Sequence, residues 1–157
     1  MIYKNNNDYL EILPKKGRIL GLDLGSKNIG LAICEDTQNI ATPKKILRRK
    51  NNNFDFATLL SIIQENHLVA IIFGLPLKMD GSENLMVDFV MKFMQNFDEF
   101  LQNHKINLPL IAFDERLTSF DARYLSKTNS KKSKAIDDVS AYLILNDFLE
   151  YLRQCRN

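Results

Sequence analysis

Two cysteines and two histidines are all that the 157-residue chain offers to a soft metal or a disulfide. Cys34 lies in a predicted strand and Cys155 in the last turn of a predicted helix, with no Cys or His close by in sequence. Neither a disulfide framework nor a zinc site is therefore expected, and both are read as reduced thiols. His67 and His104 each stand alone near a predicted helix end, where a solvated or capping histidine is the ordinary case, so neither is given a catalytic role. Long apolar runs are also missing. None approaches the roughly 20 residues of a membrane span, and the N-terminal MIYKNNNDYLEILPKKG is polar rather than signal-like. A cytoplasmic protein with no membrane contact is the expectation. Nor does charge of one sign dominate: 21 Lys and Arg against 19 Asp and Glu leave a formal charge of +2. Total charge thus neither suggests nor excludes a nucleic-acid partner, and the local distribution has to decide.

What is present is enough apolar material for one compact core, 45% of the residues. After a polar leader, residues 18–24 and 28–35 read as two strands joined by the turn-rich GSKN, and a third strand is expected around 39–47, with Pro43 demoting it to an edge. Residues 54–66 place Phe56, Leu59, Leu60 and Ile63 on one helical face, and LVAIIFGLP is the continuous apolar run of a central parallel strand. A long helix over 83–104 carries Met86, Phe89, Val90, Phe93, Phe97 and Phe100 in one stripe, followed by the buried strand LPLIAFDERL. A short helix is expected at 118–126, a polar basic loop at KTNSKKSK, and a final amphipathic helix at 136–153. The order predicts an α/β fold, a mixed sheet with an antiparallel meander followed by right-handed crossovers and covered by helices. In such sheets ligands gather at the carboxyl ends of the parallel strands.

Three acidic positions interrupt apolar segments rather than decorate polar ones: Asp23, the pair Asp114 and Glu115, and the pair Asp137 and Asp138. Asp23 stands inside RILGLDLG, where an unpaired buried carboxylate would cost several kcal/mol. Glu115 follows the run Leu110 to Phe113 at a strand end, which would bring it beside Asp23 if the two strands adjoin. Asp137 begins a helix whose packed face carries Ala141, Leu145 and Phe148. Singly, each has an ordinary explanation as a turn, strand-end or cap residue. Together at one sheet edge, they would repel one another unless cations neutralised them. Hard oxygen donors without His or Cys point to Mg²⁺ or Mn²⁺, and a pair of such ions would serve an in-line phosphoryl displacement.

GLDLGSKNIGLAI, IIFGLPLKMDGSEN, FDERLTSFDAR and IDDVSAYLIL, in this order, resemble the YqgF (RuvX) family of the ribonuclease H-like superfamily over about residues 18–152. The resemblance implies a five-stranded ribonuclease H-like mixed sheet with helices on both faces, in a single nuclease domain at 18–153, with residues 1–17 outside it. It implies a metal-dependent hydrolase, an endonuclease acting on the phosphodiester bonds of structured nucleic acid. Processing of the 5′ end of pre-16S rRNA in ribosome biogenesis is the leading expectation, and Holliday junction resolution on branched DNA the alternative. By the same resemblance Asp23, Glu115 and Asp137 are the metal-binding catalytic carboxylates, with Asp138 at a variable position of IDDVSA; helix phase alone does not choose between the last two.

Arg116, directly after Glu115, is expected to contact phosphate or orient the carboxylate, although it could equally pair with Asp114. Lys131, Lys132 and Lys134 lead straight to Asp137 and are expected to grip the nucleic-acid backbone. A second basic run, Lys44, Lys45, Arg48, Arg49 and Lys50, reads as a solvated loop. The turn around Asp80 and Gly81 offers backbone donors for a phosphate or a plain connection. The apolar excess of the 83–104 helix is most simply core and leaves a weak case for a homodimer. Two rival classes stand further off. DLGSKNIG also resembles the first phosphate loop of the actin and sugar-kinase fold, but those proteins need two lobes and a second such loop. A non-catalytic assembly factor would not require Asp23, Glu115 and Asp137 to be intact.

Overall fold

The computed structural model describes residues 1–4, 9–76, 85–114 and 137–156, with the backbone alone at Asp137 and Asp138. In chain order the elements are β1 (Ile2–Tyr3), β2 (Arg18–Leu24), β3 (Asn28–Cys34), β4 (Ala41–Pro43), β5 (Leu47–Arg48), α1 (Asn52–Asn66), β6 (Leu68–Leu75), α2 (Leu85–Asn103), β7 (Leu110–Asp114) and α3 (Asp137–Arg156). The helix expected at 118–126, the KTNSKKSK loop and the turn at Asp80 and Gly81 lie outside the described residues.

One sheet holds the molecule together, in the order β1-β7-β6-β2-β3-β4, with β5 also paired to β3. The meander β2-β3-β4 is antiparallel, whereas β2, β6 and β7 run parallel, so the sheet is mixed. In place of the five expected strands the described residues form seven; the additions, β1 and β5, are two residues long and offer no periodicity to read. The third predicted strand divides into β4 and β5. Pro43 closes β4 on the outer edge, where its missing N–H costs no ladder bond.

The helices cover both faces. On one face Phe56, Leu59 and Ile63 of α1 and Val90, Phe93, Met94, Phe97 and Leu101 of α2 pack against Leu20, Leu22, Ile71 and Leu110 of the strands. The apolar stripe of α2 is therefore absorbed by the core, with Met86 outside it: Leu85 and Met86 are exposed. On the other face Ala141, Leu145, Phe148 and Leu152 of α3 pack against Ile19, Ile72, Ile111 and Phe113. Local signals bound α1 cleanly. The Asn51 side chain caps the N-terminus by accepting from the Phe54 N–H at 2.9 Å, and His67 ends the helix in a left-handed conformation. His104 bonds the carbonyl of Phe100 at the end of α2. Both histidines thus occupy helix ends.

The polar leader carries more structure than its composition suggests. Met1 accepts the Leu110 N–H at 3.1 Å as β1 joins β7. Tyr9 is fully buried against Phe148, with ring centroids 5.6 Å apart, and Leu13 is buried beside it. Isolated apolar residues in a polar stretch have no period, so only the packing reveals them.

Candidate functional site

Strand alternation assigns Ile19, Gly21 and Asp23 to the α3 face of the sheet and Leu20, Leu22 and Leu24 to the α1 and α2 face. Asp23 is partly buried and pairs directly with Gly30 of β3. On its other side β6 is parallel, and Phe73 pairs with Leu22, so Gly74 stands alongside Asp23 one residue further on. The carboxylate therefore has a glycine on each flank. Neither glycine is among the residues with positive φ, so the backbone does not require them; what they supply at this row is the absence of a side chain. Gly74 is not among the residues that the sequence brings forward, and its one signal there is a glycine inside the apolar run IIFGLP.

Helix α3 comes down onto this row. A Cβ on Gly21 would lie 2.7 Å from Leu145 Cβ and 2.9 Å from the carbonyl oxygen of Ala141, so the helix rests directly on the strand. At its far end Arg156 donates to Gln38 Oε1 at 2.8 Å and to the Pro14 carbonyl at 3.1 Å. Gln38 in turn donates to the Gly17 carbonyl at 3.0 Å, just before β2 begins. The helix thus runs antiparallel to β2. Its first residue, Asp137, is one turn before Ala141, about 6 Å along the axis, while Asp23 is two residues past Gly21, about 7 Å along the strand. Asp23 and the start of α3 therefore lie at the same end of the sheet, on its α3 side.

Strand β7 contributes differently from the expectation. It does not adjoin β2, because β6 lies between them; the backbones of β2 and β7 are two strand spacings apart, about 10 Å. Crossovers through α1 and α2 place β6 next to β2 and β7 beyond it. Asp114 pairs with Leu75 at the end of β7 and alternates with Leu110 and Ala112 toward the α1 and α2 face, opposite to Asp23. Glu115, Arg116, Lys131, Lys132 and Lys134 lie outside the described residues, as does the side chain of Asp137. Among the described residues no group of three or more His, Cys, Asp or Glu could hold a metal ion, and no helix is long and apolar enough to cross a membrane.

Near the same end of the sheet, the turn between β2 and β3 meets the loop between β5 and α1. Arg49 Nε bonds Asp55 Oδ2 at 3.1 Å, and the Lys50 N–H bonds Asp55 Oδ1 at 3.1 Å. The Arg49 guanidinium lies over the rings of Phe89 and Phe93 at 5.0 and 4.9 Å and reaches the Gly25 carbonyl at 3.4 Å. In the sequence Arg49 is only one charge in a run that reads as solvated; in the fold it is stacked and paired.

A family profile described as RuvX, Holliday junction resolvase, matches residues 17–151. Among curated relatives, a protein of Ehrlichia chaffeensis is 36% identical over 157 residues, covering 98% of this chain and 97% of its own length. One of Cereibacter sphaeroides is 37% identical over 164 residues, covering 100% and 99%. Both carry the provisional name pre-16S rRNA nuclease. Among solved structures, RuvC of T. thermophilus in complex with a Holliday junction superposes with a TM-score of 0.57 at 10% identity, covering 88% of this chain and 96% of its own. The yeast mitochondrial Holliday junction resolvase gives 0.58 at 10% identity, covering 94% and 85%. At such identities these structures speak for the fold alone, which is that of the ribonuclease H-like resolvases.

Proposed function

The chain belongs to the RuvX family, and on that premise we propose that it is a hydrolase, a metal-dependent endonuclease of structured nucleic acid whose substrate is the 5′ end of precursor 16S rRNA. The observation that carries the reading is Asp23, a carboxylate at the end of a central strand, flanked by Gly30 and Gly74, on the side of the sheet where α3 begins. The names of the curated relatives favour RNA. The family description favours branched DNA as a second reading; both polymers present phosphates in a defined shape.

In this proposal Asp23, Glu115 and Asp137 hold a divalent ion. A donor set made only of carboxylate oxygens fits a hard cation, Mg²⁺ or Mn²⁺. Glu115 enters the set through the FDER motif of the family, directly after β7, whose Ile111 and Phe113 occupy the α3 face. When bound, the ion supplies an activated water and charge stabilisation at the phosphoryl group. The protein's own groups do the rest: Asp23 fixes the strand end of the site, Arg116 contacts phosphate or orients Glu115, and Lys131, Lys132 and Lys134 bind the backbone. The same reading treats 18–153 as one nuclease domain, implies a cytoplasmic location, and assigns a homodimer contact to the start of α2, where Leu85 is exposed.

Purified protein with Mg²⁺ or Mn²⁺, offered a ribosomal RNA precursor and a synthetic four-way junction in single-turnover assays, tests the reading. Cleavage of the precursor is expected. It should be lost in Asp23→Asn and Asp137→Asn with the thermal melt retained, and kept in Asp138→Asn, with Mn²⁺ affinity measured by calorimetry falling in the first two alone. Cleavage of the junction alone would select the second reading, and inert protein with both substrates would refute the nuclease.

A further inference from the structure

Ser26, Lys27 and Asn28 of the β2–β3 turn and Arg48, Arg49 and Lys50 beyond β5 line a cavity of about 650 Å³. The two segments are far apart in sequence but are held together by pairing of Asn28 with Arg48 and by the Arg49 N–H bonded to the Lys27 carbonyl at 2.9 Å. Four of the six lining residues are cationic, in a chain whose formal charge is only +2. Arg49 is neutralised by the fully buried Asp55 and clamped over Phe89 and Phe93, so it builds the wall. Lys27, Arg48 and Lys50 are exposed. Among the described residues none of the three is in an ion pair, and Lys50 lies over the Phe54 ring at 4.1 Å. A cavity with three unmatched cations, a hydroxyl and an amide, and no carboxylate in its lining, suits an anion.

Resting on the nuclease reading, we infer that this pocket is a second anchor for the substrate, binding the phosphodiester backbone beside the cleavage site. Its volume is in the range of nucleotide-sized ligands and well above that of one bare phosphate. Its position favours a polymer already engaged at Asp23: the lining begins three residues further along, so Ser26 is within about 11 Å of Asp23 by chain length alone. That span is about three nucleotides of rise, so the pocket opens on the same stretch of backbone as the one engaged at Asp23. The lining offers cations and no aromatic face, which suits the phosphates of the strand rather than its bases, so the contact positions the strand.

The test is the double variant Lys27→Ala with Arg48→Ala in the full chain, compared with Lys44→Ala with Lys45→Ala, which removes equal charge from the same basic run outside the pocket. Binding of a labelled rRNA precursor fragment and of a four-way junction is measured by fluorescence anisotropy in EDTA between 50 and 200 mM salt. Removing two cations that each neutralise a phosphate reduces the slope of log K against log salt by about 1.4 to 1.8, so the salt increase should weaken the parent about tenfold more than the pocket variant. The control should follow the parent. With Mg²⁺ or Mn²⁺, the pocket variant should cleave at the parental rate at saturation with a raised half-saturating concentration. A parent that cleaves, with an unchanged slope in the pocket variant or an equal change in the control, overturns the pocket and spares the nuclease. A parent that binds neither substrate overturns both.

Discussion

Gly21 sets the height of α3 above the sheet. A methyl group there would have to displace both Leu145 Cβ, 2.7 Å away, and the Ala141 backbone oxygen at 2.9 Å, and a backbone carbonyl cannot swing aside as a side-chain tip can. Gly21→Ala is expected to cost about 1–3 kcal/mol through overpacking, read as a melting temperature several degrees lower. Because the same packing locates the start of α3 relative to Asp23, cleavage should fall further than the reduced amount of folded protein explains. An unchanged melt would show that the helix yields freely and that Gly21 sets nothing. The glycine is visible in RILGLDLG, but its role is not: only the helix lying on it makes the missing Cβ matter. Cys34 shows the same limit. Burial, opposed in part by the Ile19 N–H bonded to its sulfur, pushes its thiol up to about 11, whereas Cys155 is exposed.

At the scale of elements, Arg49 and Asp55 join β5, α1, α2 and the β2–β3 turn. Asp55 stands in the first turn of α1, where the helix dipole favours a carboxylate, yet it is completely buried and depends on Arg49 and the Lys50 N–H for compensation. Asp55→Ala leaves a mostly buried guanidinium without its counter-charge and is expected to cost about 3–5 kcal/mol in urea unfolding. Adding Arg49→Met should recover most of that stability, since an apolar side chain can lie against Phe89 and Phe93 without a partner. A double variant no more stable than Asp55→Ala would show that the hydrogen bonds to Gly25 and Asn52, and not the ion pair, hold the junction. The helices themselves are legible from their apolar periods, whereas the Asn51 cap that starts α1 emerged only with the structure. This junction is not, because a charge run looks the same in sequence whether it is solvated or stacked on two phenylalanines.

For the whole molecule, near-neutral total charge conceals an uneven distribution, and substrate affinity should follow the local concentrations. Replacing Lys131, Lys132 and Lys134 together by Ala is expected to weaken binding and to lower the salt slope by about 2 to 3, at roughly 0.7 to 0.9 for each phosphate no longer neutralised. If this run and the pocket at Lys27 and Arg48 grip different phosphates of one strand, their slope changes add in the combined variant. An unchanged slope in the triple variant, measured on the same precursor fragment, would make 127–134 a solvated spacer.

The sequence by itself determined the α/β order, the family and the prominence of Asp23, because periodicity, motif order and a carboxylate inside an apolar strand are properties of neighbouring residues. Only the tertiary structure decided that β6 separates β2 from β7, that Gly30 and Gly74 flank Asp23, that Lys27 joins Arg48 and Lys50 around one cavity, and that Tyr9 and Leu13 close the core beneath α3. Each of these relates residues far apart in the chain. Strand neighbours are set by where crossover helices can pack on the two faces of the sheet, and loops meet where that packing brings them, so no local pattern carries the information.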